Sequence, residues 1–181
     1  MPLALKLVLL GTVTTAAVFD LRYRRIPNWL NLSAAVFGVA ANLLLFRSHG
    51  LTMALLGILC SLVVYVPLYL LRGMGAGDVK LMAAIGAIVG PINWLWIFLL
   101  TALLGGVVSV LYVAARGRLR QTLWNLLTLV QELLRARLPA VREPRLDVCH
   151  RDALRMPHGA LIALGAVVFL AIGSRAIISA I

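Results

Sequence analysis

The chain has 181 residues, of which 62% are hydrophobic and 13% charged, and its mean hydropathy is +1.01. Several apolar runs approach or exceed the roughly 18 residues that indicate a membrane-spanning helix, which excludes a soluble domain and a disordered chain. The net charge of +11 comes from 17 Lys and Arg against 6 Asp and Glu. Because these basic residues lie between apolar runs, they indicate membrane orientation and not nucleic-acid binding.

The apolar runs, taken in chain order, predict an all-α polytopic membrane protein. Six helices are predicted, at residues 3–19, 29–46, 51–71, 79–89, 94–115 and 159–181. The fourth helix would be only about 17 Å long, too short to cross a bilayer of ordinary thickness unaided. We therefore expect this short helix to be buried among the others.

The composition changes in residues 116–156, which contain nine Arg. Between positions 119 and 138, Leu and Val recur at spacings of three and four, and most charged and amide side chains fall off this apolar face. This pattern predicts an amphipathic helix that lies on the cytoplasmic leaflet, within a basic cytoplasmic loop.

The distribution of basic residues predicts the orientation of the helices. If the loop after Asp20, the turn before Asp78 and residues 116–156 face the cytoplasm, that side holds 14 basic residues and the other side holds 3. The positive-inside rule then favours six helices with both termini outside the cytoplasm. We see no internal repeat and expect one membrane-embedded domain over residues 1–181.

A glycine-rich turn interrupts the apolar pattern between the third and fourth predicted helices. Its sequence is Arg72-Gly73-Met74-Gly75-Ala76-Gly77-Asp78-Val79-Lys80. Three glycines in five residues allow positive φ angles and leave room for another chain to approach closely. We therefore predict that Gly75 and Gly77 shape the turn or bind substrate. Lys80 is a further candidate for substrate contact, although it could equally reach toward lipid headgroups.

Two acids stand apart from the other four, which lie in the basic loop. Asp20 stands at the end of the first apolar run, and Asp78 stands at the end of the glycine-rich turn. An acid at the edge of a membrane indicates a functional site. If the two carboxyl groups meet, they cannot both ionise cheaply, so one keeps a proton and can act as an acid while the other acts as a base. A proton or cation site in a small carrier, or two unrelated helix-end acids, would also place carboxylates there.

The sequence contains no other candidate chemistry. Cys60 lies in an apolar run and Cys149 in a polar loop, with no pattern typical of a zinc site or a disulfide framework. We expect neither a metal nor an organic cofactor.

The motifs around both acids resemble a known family. Gly75-Ala76-Gly77-Asp78 is a Gly-x-Gly-Asp motif, and Asp20 precedes Ile26-Pro27-Asn28 by six residues. The stretch from Arg155 to Gly165 is similar to a final-helix signature in which a Pro is followed by an aromatic residue and a Gly; here His158 stands at the aromatic position. These features resemble the type IV prepilin peptidases, which are membrane aspartic proteases, and most of all the compact enzymes of tight-adherence (Flp) pilus systems.

The resemblance implies a function for the chain. Asp20 and Asp78 would be the catalytic pair of an aspartic endopeptidase in the inner membrane. The substrates would be prepilin or pseudopilin precursors, cut on the cytoplasmic side after the Gly that closes a short basic leader, with an acidic residue in the early mature segment as a second determinant. The chain lacks the cysteine-rich insert that accompanies N-methylation in larger members of the family. The resemblance therefore does not imply a methyltransferase activity for this chain. A non-catalytic assembly factor of a pilus or secretion machine is the remaining alternative, and the oligomeric state stays open.

Overall fold

The computed structural model describes residues 1–71, 74–117, 124 and 158–178. These residues form four helices and, over the same ranges, no strand. The helices are α1 (Leu3–Tyr23), α2 (Asn28–Leu70), α3 (Ala76–Ala115) and α4 (His158–Ile178). By length and composition, α1, α2 and α3 could each cross a membrane. The prediction of an all-helical membrane protein is confirmed for the part of the chain that the structure describes, whereas the predicted amphipathic helix at 119–138 lies outside it.

Helix α2 is bent back on itself at Arg47, where the backbone has φ 54° and ψ −138°. A side-chain carbon placed on Gly50 would overlap the backbone carbonyl of Asn42, eight residues earlier. In a straight helix these residues would be about 12 Å apart. Helix α2 therefore consists of two segments, 28–46 and 48–70, which form a helical hairpin.

Helix α3 has a similar break at Gly90, where φ is 75° and ψ is 175°. This positive φ favours glycine, and the following Pro91 has no N–H to lose at the start of a new helical segment. The break separates a short segment, 76–89, from a longer one, 91–115. Together with the break in α2, it places helical segments at all six positions predicted from the apolar runs.

The short segment of α3 forms the centre of the structure. Its side chains that are fully inaccessible to solvent are Leu81, Met82, Ala84, Ile85, Ala87 and Ile88. This agrees with the burial expected from its length. The segment packs closely because glycines face it: a side-chain carbon on Gly57 would overlap the carbonyl of Gly86, and one on Gly38 would lie 2.8 Å from Ile88 Cγ1. Small residues at such contacts let helix backbones approach one another in membranes.

The two ends of the helices carry different features. A cavity of about 260 Å³ is lined by residues that include Met1, His49 and Gly90, so the amino terminus and both helix breaks lie at one end. Asp20 lies at the other end, where it contacts the start of α4. The fold thus separates the hairpin turns from the acids.

Candidate active site

Asp20 lies in the last turn of α1 and is only 8% exposed. The expected helix end at this residue is wrong, because α1 continues to Tyr23. The helix ends when Arg24 adopts a left-handed conformation, with φ 53°, and donates its N–H to the carbonyl of Asp20 at 2.9 Å. Pro27 disfavours helical backbone angles at the preceding residue, so helix α1 cannot continue into α2. Asp20 is therefore held by a complete helical turn.

The carboxyl group of Asp20 accepts hydrogen bonds from the beginning of α4. The backbone N–H of Gly159 donates to Asp20 Oδ2 at 2.8 Å, and that of Ala160 donates to the same oxygen at 3.4 Å. The first N–H groups of a helix have no partner within the helix, and this end carries partial positive charge. The start of α4 therefore stabilises negative charge on Asp20 Oδ2.

Asp78 is the third residue of α3, and its position follows from the turn that precedes it. The carbonyl of Gly75 accepts hydrogen bonds from the N–H groups of Asp78, at 3.1 Å, and Val79, at 3.4 Å, which closes the first helical turn. An acid in this turn interacts favourably with the helix dipole. The half-buried Asp78 carboxyl lies close enough to Asp20 and His158 to interact electrostatically with both. The structure thus brings together the two acids that the sequence singles out.

The glycines of the turn do not use left-handed backbone angles in the described residues. Gly75 has a φ of −80°, and Gly77 lies within the helix, while Gly73 is outside the described residues. Gly75 is exposed, and a side-chain carbon there would lie 3.4 Å from Asp78 Oδ2. What Gly75 contributes is open space beside the carboxyl group.

Lys80 points away from the two acids along the surface. It is exposed, and its Nζ donates a hydrogen bond to Asn28 Oδ1 at 2.9 Å. This bond links the beginning of α3 to the beginning of α2. Lys80 is thus held near the glycine-rich turn, about 200° around α3 from Asp78.

Sequence reasoning missed several residues that complete the site. His158 lies close enough to Asp78 to interact electrostatically with it, and Asn31 donates an Nδ2 hydrogen to the carbonyl of Gly77 at 3.3 Å. Tyr65 is buried near Asp78 and packs edge-on against Trp94, with ring centroids 6.2 Å apart. For Asn31 the sequence did carry a signal, because a polar side chain within an apolar run usually forms a hydrogen bond with a neighbouring helix.

This fold and site define a class: an all-helical membrane protein with two carboxyl groups brought together at one end of its helices. A protein-family model described as the type IV leader peptidase family matches residues 7–110. The match covers more than half of the chain and includes both acids, so the protein belongs to the type IV leader peptidase family. Membership implies a protease that acts on prepilin-type substrates. No curated protein and no solved structure gives a significant match to the chain.

Proposed function

We propose that the protein is an aspartic endopeptidase that removes the short basic leader of prepilin-like precursors at the cytoplasmic face of the inner membrane. The observation that carries this proposal is the proximity of Asp20 and Asp78, which come from different helices and lie close enough to interact electrostatically. One ionised and one protonated carboxyl group is the arrangement that hydrolysis by a general base and a general acid requires. Cleavage after a Gly is the specificity that the family resemblance implies.

The hydrogen bonds of the site suggest which acid does which task. Asp20 receives two N–H donors from α4 on one oxygen, so it is suited to be the ionised base. In the proposed reaction Asp20 takes a proton from water as the water oxygen bonds to the peptide carbonyl carbon. Protonated Asp78 gives its proton to the leaving amine as the carbon–nitrogen bond breaks. Neither step needs a metal or an organic cofactor.

The proposed topology has six membrane crossings with both termini outside the cytoplasm. Both helix breaks and the amino terminus share the end opposite Asp20. The basic residues support this orientation, with 14 on the side of the acids and 3 on the other. The active site would then face the compartment that supplies unprocessed precursors.

Replacing each acid by its amide tests the function. Asp20→Asn and Asp78→Asn should each lower cleavage of a prepilin precursor by at least about a thousandfold, because an amide can neither share the proton nor activate water. The measurement is cleavage by purified protein in detergent or vesicles, together with the amount of protein in the membrane.

Two acids of the basic loop serve as matched controls. Glu132→Gln and Asp147→Asn remove the same charge outside the proposed pair and should cleave at the rate of the unsubstituted protein. Near-normal cleavage by Asp20→Asn or Asp78→Asn would remove that residue from the pair. Failure of the unsubstituted protein to cleave any precursor would favour a carrier or an assembly factor.

A further inference from the structure

Tyr65 lies at the end of the buried face of the second segment of α2. The buried residues of this segment recur every three or four positions and are Gly50, Ala54, Gly57, Ser61 and Tyr65. This spacing places them along one side of a helix. The same spacing places Asp78, Met82 and Gly86 along one side of the short segment of α3.

A contact between two glycines fixes how these two faces meet. Gly57 and Gly86 lie against one another, since a side-chain carbon on either would overlap the backbone carbonyl of the other. The two segments are joined by the glycine-rich turn, so they run antiparallel. Tyr65 follows Gly57 by eight residues, about two helical turns. Asp78 precedes Gly86 by the same number of residues, so the antiparallel register brings Tyr65 opposite Asp78.

Aromatic contacts hold the Tyr65 ring in this position. The side chain is 4% exposed and packs edge-on against Trp94 and Phe98, with ring centroids 6.2 Å and 5.8 Å away. Trp94 and Phe98 stack on each other at 5.6 Å. The Tyr65 hydroxyl lies close enough to the carboxyl group of Asp78 to interact electrostatically with it. The ring is thus fixed by packing while its polar end faces the acid.

The other groups near Asp78 differ from Tyr65 in charge and exposure. Among the described residues, the titratable groups that other helices bring near Asp78 are Asp20, Tyr65 and His158. His158 is exposed, and Lys80 lies around α3 on another side. A tyrosine hydroxyl is a neutral donor, so it can bind the carbonyl oxygen of a protonated carboxyl group without favouring ionisation as strongly as a cation does.

We propose that the hydroxyl of Tyr65 donates a hydrogen bond to the carbonyl oxygen of protonated Asp78 and thereby positions this acid for proton transfer. This proposal rests on the proposed peptidase function. The bond would direct the other carboxyl oxygen, which carries the proton, toward the open space beside Gly75, where Oδ2 lies. The proton leaves from that side, so buried Tyr65 acts through Asp78 and is a positioning residue.

The first test removes the hydroxyl and keeps the ring. Tyr65→Phe should lower kcat for precursor cleavage about tenfold, because a misdirected acid transfers its proton less often, and should leave KM within about twofold. Phenylalanine preserves the aromatic packing, so Tm in detergent should stay near that of the unsubstituted protein.

Tyr69→Phe is the matched control. It removes the same hydroxyl one turn later in the helix, from a side chain that is 45% exposed. This variant should cleave at the normal rate. A kcat for Tyr65→Phe equal to that of Tyr69→Phe would overturn the proposal.

The second test observes the hydrogen bond itself and does not depend on turnover. The infrared spectrum of the protein in vesicles should contain the carbonyl stretching band of a protonated carboxyl group, which Asp78→Asn removes. Loss of a hydrogen bond to a carbonyl oxygen raises its stretching frequency. The band should therefore move to higher wavenumber in Tyr65→Phe and stay in place in Tyr69→Phe, a difference that a purely structural role of Tyr65 would not produce.

The outcomes separate this proposal from the peptidase function. If the unsubstituted protein cleaves the precursor but the band is absent or does not move in Tyr65→Phe, the peptidase function stands and the role of Tyr65 is overturned. If the unsubstituted protein cleaves no precursor, the peptidase function fails, and the role of Tyr65 in positioning a catalytic acid fails with it.

Discussion

At the scale of single residues, the position of Asp20 depends on a glycine in another helix. A side-chain carbon on Gly159 would lie 3.1 Å from both Cβ and Oδ2 of Asp20 and 3.0 Å from Ile26 Cδ1. These distances are shorter than ordinary van der Waals contacts. Gly159 therefore lets the start of α4 come close enough for its N–H groups to reach the carboxyl group.

We predict that Gly159→Ala lowers kcat about tenfold and changes thermal stability little. The methyl group would displace the Asp20 carboxyl by a few tenths of an ångström, and small misplacements of a catalytic group cost large factors in rate. Single-turnover cleavage of a precursor measures the effect.

Gly11→Ala is the matched control, because it adds the same methyl group to α1 where no other helix and no side chain of a non-adjacent residue lies within 4 Å. This variant should cleave normally. A Gly159→Ala protein that is as active as Gly11→Ala would show that Asp20 tolerates the extra group.

At the scale of helices, the short segment of α3 is held at both ends by asparagines of α2. Asn31 binds the carbonyl of Gly77, and Asn42 Nδ2 lies 3.0 Å from the carbonyls of Ala87 and Ile88. The break at Gly90 leaves these last carbonyls without helical partners, and lipid supplies none. The two asparagines thus fix the helix that carries Asp78 in place.

We predict that Asn42→Leu destabilises the protein by about 1–3 kcal/mol, the usual cost of leaving buried polar groups unpaired. Leucine has a similar size but offers no donor to the two carbonyls. The expected result is a lower Tm in detergent, measured by unfolding of the purified protein.

Leu44→Ala provides the comparison, since Leu44 lies on the same segment and is 83% exposed. Its Tm should stay near that of the unsubstituted protein. Equal Tm values for Asn42→Leu and Leu44→Ala would show that the asparagine is not needed to end the short segment.

At the scale of the whole molecule, the proposed topology predicts which loops face which compartment. Reporter enzymes that work only outside the cytoplasm should be active when fused after Ser48 or Ile181. They should be silent when fused after Arg25 or Gly117. The physical reason is that the proposed topology keeps most basic residues on the side of the acids, and basic residues resist transfer across the membrane. An active reporter after Arg25 would place Asp20 on the wrong side for the proposed cleavage.

The sequence by itself predicted the apolar helices that the structure describes, and it singled out Asp20 and Asp78 as candidates for the site. Long apolar runs predict helices regardless of their neighbours, and Asp20 and Asp78 stand out because acids at the membrane edge are costly. The short fourth segment was predictable too, because its length forbids an unaided crossing. These properties depend on local composition and spacing, which the sequence displays directly.

Only the tertiary structure decided which groups meet. The hydrogen bonds from Gly159 and Ala160 to Asp20 join residues about 140 positions apart, and no local pattern indicates such a contact. Packing between helices likewise brings His158 near Asp78. It also places Asn42 where its side chain binds the carbonyls of Ala87 and Ile88, just before the break at Gly90. Apolar periodicity gives the face that a helix buries, but the partner of each polar side chain depends on the relative positions of several helices.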